Sequence, residues 1–165
     1  MVEPVAVGKR KEENMRFRLK LKKVFTKSDL DKITEATRKA ELLTSGEIKV
    51  VIRDACKKNL STKEQALADF IAYGLGNTRD KTGVLILLVM KERQIEVLGD
   101  KGINDLVPEG YWDNIITVIR HGFDLHHPRE GICEAVGLIG EKLQEIFPRK
   151  PDDINELSNE PIIAH

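Results

Sequence analysis

Three aspartates and two asparagines fall in two short polar loops, and their types and spacing could do chemistry. Asn77, Asp80 and Lys81 precede an apolar run at residues 83–90, while Asp100, Asn104 and Asp105 follow an alternating run at 93–98. Carboxylate and amide oxygens drawn from two loops suit a hard cation such as Ca²⁺ or Mg²⁺. The same residue types also suit turns and helix caps. No contiguous ligand loop of the EF-hand kind decides between the two. In a hydrolytic version, the cation would activate water and clamp a phosphate, and Lys81 and Lys101 would bind that phosphate.

The other reactive residues point to less. Cys56 and Cys133 form no CxxC pair and no disulfide framework. They read as reduced, half-buried thiols. Cys56, within Asp54-Ala55-Cys56-Lys57-Lys58, lacks the glycines and arginine that a phosphate-cradling cysteine loop needs. There is no DxDx strand end, Walker loop, dinucleotide GxGxxG or GxSxG elbow. His126 and His127 are adjacent, so their side chains diverge, and His121 does not complete a recognised zinc spacing. They read as exposed loop histidines.

The loops matter only if the fold brings them together, and the hydrophobic pattern says that it does. Thr26 or Ser28 can cap a first helix, with Leu30, Ile33, Ala36, Thr37, Ala40 and Leu43 at helical spacing. A strand is predicted over Glu47 to Arg53, with Ile48, Val50 and Ile52 on one face. Ser61-Thr62-Lys63-Glu64 is a capping box that opens a helix closed by Gly74 and Gly76. The run 83–90 is apolar on both faces and reads as a central strand, parallel to the first across a helical crossover. Lys91 and Glu92 then make a tight turn into Arg93 to Leu98, an antiparallel hairpin.

That turn sets Met90 opposite Arg93, and stepping outward sets Val84 opposite Gly99 and Gly83 opposite Asp100. The two polar loops therefore leave the same end of the sheet. Beyond them a short turn is expected over Lys101 to Leu106. One helix is predicted from Pro108, carrying Trp112, Ile115, Ile116, Ile119 and Phe123, and another from Pro128 that Pro148 stops. The fold class is α/β: a three-layer α/β/α sandwich on a mixed, mostly parallel sheet with one antiparallel hairpin strand.

Composition bounds the rest. The 165 residues suit one domain, and Lys plus Arg equals Asp plus Glu at 27 each. A neutral molecule has no overall field to steer nucleic acid, and no specific nucleic-acid partner is expected. The charge is nonetheless polarised. Residues 9–23 carry eight basic side chains against two acidic ones, and residues 152–160 carry four acids and no base. This divides the chain into a basic arm (1–24), a domain (25–148) and an acidic tail (149–165), with the tail expected to be loosely attached from Pro151.

Within the arm, residues 16–22 alternate base and hydrophobe. This is the pattern of an edge strand or flexible arm, or of a segment lying on an anionic membrane surface. No signal peptide or membrane span is evident, so the expected compartment is the cytoplasm.

Several short motifs carry a family resemblance. They are Phe25-Thr26 with Thr44-Ser45-Gly46-Glu47-Ile48, then Gly83-Val84-Leu85-Ile86, Gly99-Asp100-Lys101-Gly102-Ile103-Asn104, and Val107-Pro108-Glu109-Gly110-Tyr111-Trp112-Asp113. Ile139-Gly140-Glu141-Lys142-Leu143, Phe147-Pro148 and Asp153-Ile154-Asn155-Glu156-Leu157 continue the series. In order and spacing the chain resembles the TPM domain family, especially its small free-standing bacterial members.

The resemblance implies an α/β/α sandwich and a divalent-cation site in loops at one sheet end, which by position falls on Asp80, Asp100 and Asp105. It also implies phosphatase activity in some members. The convergence of acidic loops without a nucleophile instead favours a divalent-cation-binding interaction or regulatory domain with a protein partner. Two positions depart from the family pattern. Thr82 stands where asparagine is common, and Leu125-His126-His127-Pro128 stands where relatives have a small polar turn.

Overall fold

The computed structural model describes residues 24–165, so the basic stretch 9–23 lies outside the described residues. Thr26 caps α1 (Lys27–Glu41) through a reciprocal pair of hydrogen bonds with Asp29, which satisfies amides that a helix start otherwise leaves open. Strand β1 (Glu47–Arg53) follows. Ser61 and Glu64 make the same capping box for α2 (Thr62–Ala72). Gly74 then turns left-handed at φ 80°, and a 3-10 turn at Leu75–Asn77 buries Leu75 completely.

Strand β2 (Gly83–Val89) is buried along its whole length. It runs parallel to β1, with Glu47 aligned to Gly83 and Arg53 to Val89. Strand β3 (Gln94–Gly99) returns antiparallel with Val84 opposite Gly99, the register expected from the sequence. The connection differs in detail. Ladder pairing stops at Val89 and Gln94, so the loop has four residues, and it closes with Arg93 left-handed at φ 52°.

The helical half begins with α3 (Lys101–Asn104), capped by Asp100. Helix α4 (Tyr111–Asp124) starts three residues later than the proline-based expectation. Gly110 is left-handed at φ 77°, so the chain cannot become helical until it has passed that residue. Helix α5 (Pro128–Ile146) begins at Pro128 as expected. Helices α4 and α5 approach so closely that a Cβ on Gly122 would lie 2.7 Å from the Gly131 Cα.

Two apolar layers cover the sheet. Ile48, Val50, Ile52, Val84, Ile86 and Leu88 pack beneath Ile33 of α1, Ile119 of α4 and Ile132 of α5. On the opposite face, Val51, Leu85, Leu87 and Val89 meet Ala66 and Phe70 of α2 together with Leu75. This is the three-layer α/β/α arrangement, and the period-2 alternation of strand side chains produces it.

The segment after Pro151 departs from the sequence reading. It is tied to the domain and ends in β4 (Ile162–Ala164), which pairs parallel with Val51–Arg53 of β1. The sheet order is β3-β2-β1-β4. Three half-buried apolar residues carry too weak a local signal to be read as a strand, and their pairing partner lies far away in sequence.

Candidate cation site at one end of the sheet

Strands β1 and β2 begin, and β3 ends, at the same edge of the molecule. The Glu47 amide donates to the Thr82 carbonyl (3.3 Å), and the Asp100 amide donates to the Gly83 carbonyl (2.8 Å). Glu47, Gly83 and Asp100 therefore form one row across the sheet end. The two polar loops converge there, as the hairpin register requires.

Their backbones dock tightly. The Gly102 amide donates to the Lys81 carbonyl at 3.1 Å. A Cβ on Gly102 would lie 2.5 Å from the Lys81 carbonyl oxygen and 2.7 Å from that of Asp80. Only glycine lets α3 come this close to the 77–82 loop.

The side chains divide less evenly. One Asp100 oxygen accepts from the Lys101 amide at 2.7 Å, while Oδ2 is buried without a hydrogen-bond partner among the described residues. Asp80 turns toward Lys150 (3.4 Å) and Arg79 (3.9 Å). Asp105 is exposed at the C-terminal end of α3. Asn104 Oδ1 accepts from the Trp112 indole at 2.8 Å. Lys81, left-handed at φ 56°, donates to the Gly76 carbonyl at 2.6 Å. Asn77 lies in the 3-10 turn, and Lys101 is exposed at the start of α3.

Among the described residues, no three His, Cys, Asp or Glu side chains are gathered tightly enough to hold a metal by themselves. The two loops thus meet through the backbone at Gly102 and Lys81, and Asp105 lies at the C-terminal end of α3. The donor types at the junction, a buried carboxylate oxygen in one loop and peptide carbonyls in the other, still suit a hard cation.

The sequence reading missed a second acidic group at the same sheet end. Glu47 and Lys49 sit on the α2 side of β1 and are buried. The adjoining open edge of the strand is closed by Glu41, which accepts from the Ile48 amide at 2.8 Å and from the Asn159 side chain. Glu47 Oε1 accepts from the Glu156 amide at 2.8 Å, whereas Oε2 is buried without a partner among the described residues. The Lys49 ammonium donates to the carbonyls of Ser158 and Glu160, both at 2.7 Å.

Burial pushes the Glu47 carboxyl up to about 8, with the neighbouring Glu41 adding to the rise. Burial likewise pushes Glu41 up to about 7, and it lowers Lys49. The signal available in sequence was the polar face of β1, where Glu47, Lys49 and Arg53 share a face with Val51. Alternation assigns that face to solvent; the chain beyond Pro151 and the side chains of α2 cover it instead.

Four of the buried oxygens without a partner among the described residues lie at this sheet end or in the loops that enter it: Ser45 Oγ, Glu47 Oε2, Thr82 Oγ1 and Asp100 Oδ2. Buried oxygens usually find a hydrogen-bond partner, so a concentration of exceptions calls for an explanation such as an ion or water. The two cysteines are free and half-buried, and burial raises both thiols. That is the reverse of what a thiolate nucleophile requires. No helix among the described residues is long and apolar enough to cross a membrane.

Comparison with known proteins agrees with this architecture. The BA42 protein of the psychrophilic bacterium Bizionia argentinensis, solved by NMR, is 32% identical with a TM-score of 0.76 over 84% of this chain and 94% of its own. The N-terminal domain of a P. gingivalis protein shares the fold at 20% identity and a TM-score of 0.60, covering 74% of this chain and 78% of that one. An N-terminal domain from Corynebacterium glutamicum does so at 12% and 0.58, covering 80% and 81%. No curated protein matches the chain. The family model for the TPM domain matches residues 20–142. With that match, and a solved relative sharing a third of its residues across nearly the whole domain, the chain belongs to the TPM domain family.

Proposed function

We propose that this TPM domain is a divalent-cation-binding module that serves interaction or regulation, with Ca²⁺ or Mg²⁺ held where the 77–82 loop meets 99–105. The observation that carries the reading is the buried Oδ2 of Asp100, without a hydrogen-bond partner among the described residues, in the loop whose Gly102 packs on the 80–81 backbone. Asp100 would be the anchoring ligand. Asp80 would join it by releasing Lys150, an exposed partner whose ion pair contributes little. Asp105, Asn77 and Asn104 would act at most through the outer shell, since Asn104 already holds Trp112.

A cation bound here would supply positive charge at the mouth of two loops, a feature that a protein partner or a phosphate could recognise. The binding role is favoured over phosphomonoester hydrolysis by one contact. Lys81, a phosphate ligand in the hydrolytic reading, directs its ammonium to the Gly76 carbonyl, which leaves fewer of its donors for a phosphate.

The test is a Ca²⁺ and Mg²⁺ titration followed by amide NMR. Shifts confined to 77–82 and 99–105, lost in Asp100→Asn, support the proposal; silence in both loops refutes it. Aryl phosphate hydrolysis that rises with metal and disappears in Asp100→Asn would establish the hydrolytic reading instead.

A further inference from the structure

The opposite end of the sheet holds a cavity of about 630 Å³, within the range of small-molecule sites. It opens between the 90–93 turn, the last turn of α4 and the α4–α5 connection. Its floor is apolar, formed by Leu88, Met90, Ile95 and Phe123. Leu88 and Ile95 belong to the main core, so the floor rests on rigid elements rather than on loops.

The rim has a different character. Arg93 and Arg120 line it, and neither guanidinium has an ion-pair partner among the described residues. Asp124 also lines the cavity without pairing to either, which leaves a surplus of positive charge at the rim.

Two rim residues, Arg93 at φ 52° and His126 at φ 60°, are left-handed without being glycine. Glycine would make either turn free of steric cost. Such conformations are strained and collect at ligand-binding positions. Here both place a cationic or titratable side chain at the mouth of an apolar cavity.

We infer that this cavity binds a small amphipathic anion. Its apolar body would lie on Leu88, Ile95 and Phe123, and its carboxylate or phosphate head would be held between Arg93 and Arg120. Guanidinium groups suit this task because their planar fork meets either head group with two parallel hydrogen bonds. The site is independent of the cation junction, which lies at the other end of the strands.

The test is an amide NMR titration of the full chain with octanoate, octyl phosphate, octanol and inorganic phosphate. Octanoate or octyl phosphate should shift the amides of 93–95, 120–124 and 126, and the tighter of the two identifies the head group. Octanol and inorganic phosphate should each bind at least tenfold more weakly. The double variant Arg93→Gly, Arg120→Gln should lose at least tenfold in affinity with an unchanged spectrum elsewhere, because both side chains are exposed and glycine accepts the turn. Octanol binding as tightly as octanoate, or full affinity in the double variant, would overturn the inference. So would a cavity closed to all four probes because the chain's own residues 1–23 fill it.

Discussion

Glu47, the first residue of β1, accepts a 2.8 Å hydrogen bond from the amide of Glu156, 109 residues further along the chain. The carboxylate is buried beside Glu41, and both hold their protons well above the ordinary value of 4.5. The folded state therefore keeps protons that the unfolded chain releases. The stability these two groups contribute is fully present below the ordinary carboxylate range and is lost as pH rises through about 7 for Glu41 and about 8 for Glu47. A tenfold change in proton affinity is worth about 1.4 kcal/mol. The loss between about pH 5 and about pH 8.5 should amount to several kcal/mol in urea titrations, the larger part of it from Glu47. Glu47→Gln keeps the acceptor but cannot ionise, so it should at least halve that slope.

Lys49 fastens the same segment from the neighbouring position. Its ammonium satisfies two carbonyls, and hydrogen bonds to a charged group contribute about 1.5–3 kcal/mol. Lys49→Met should raise hydrogen exchange across residues 156–164 by roughly tenfold or more, leaving the amides of β2 protected. Uniform acceleration throughout the sheet would mean that this segment does not open separately.

Arg53 and Asp69 form a bidentate pair, with both bonds at 2.6 Å, joining β1 to α2 in a buried setting. Gln65 adds a third bond to Asp69 at 3.0 Å. Asp69→Ala strands a buried guanidinium and should destabilise the fold by about 3–5 kcal/mol in urea denaturation. Replacing both partners, as Arg53→Met with Asp69→Leu, should recover most of that loss, since the desolvation cost disappears together with the attraction.

Gly102 couples the loops of the proposed cation site. An alanine there would press against two carbonyl oxygens of the backbone, which cannot rotate away as a side chain could. Gly102→Ala should cost about 1–3 kcal/mol, the usual range for overpacking. It should also weaken Ca²⁺ binding at least tenfold by parting the 80–81 loop from Asp100. Unchanged affinity in the folded variant would place the cation elsewhere.

The sequence by itself determined the layers and the hairpin register. The doubly apolar run 83–90 reads as a covered central strand, and the alternation of Ile95 and Val97 with Gln94 and Glu96 marks its neighbour. The register survived a change of turn type, because Met90 still faces Arg93 whether the loop is counted as two residues or four. The capping signals at Thr26 and Ser61 were equally legible, being local hydrogen-bond chemistry that three or four residues complete.

Tertiary structure decided what those loops and faces hold. That Asp100 buries an oxygen while Asp80 turns to Lys150 depends on a segment seventy residues away. That Glu47 and Lys49 are covered rather than solvated depends on residues 156–160. Strand β4 exists only because β1 offers it an edge. Local pattern dictates which way a side chain points along a strand; only the folded chain dictates what it meets there.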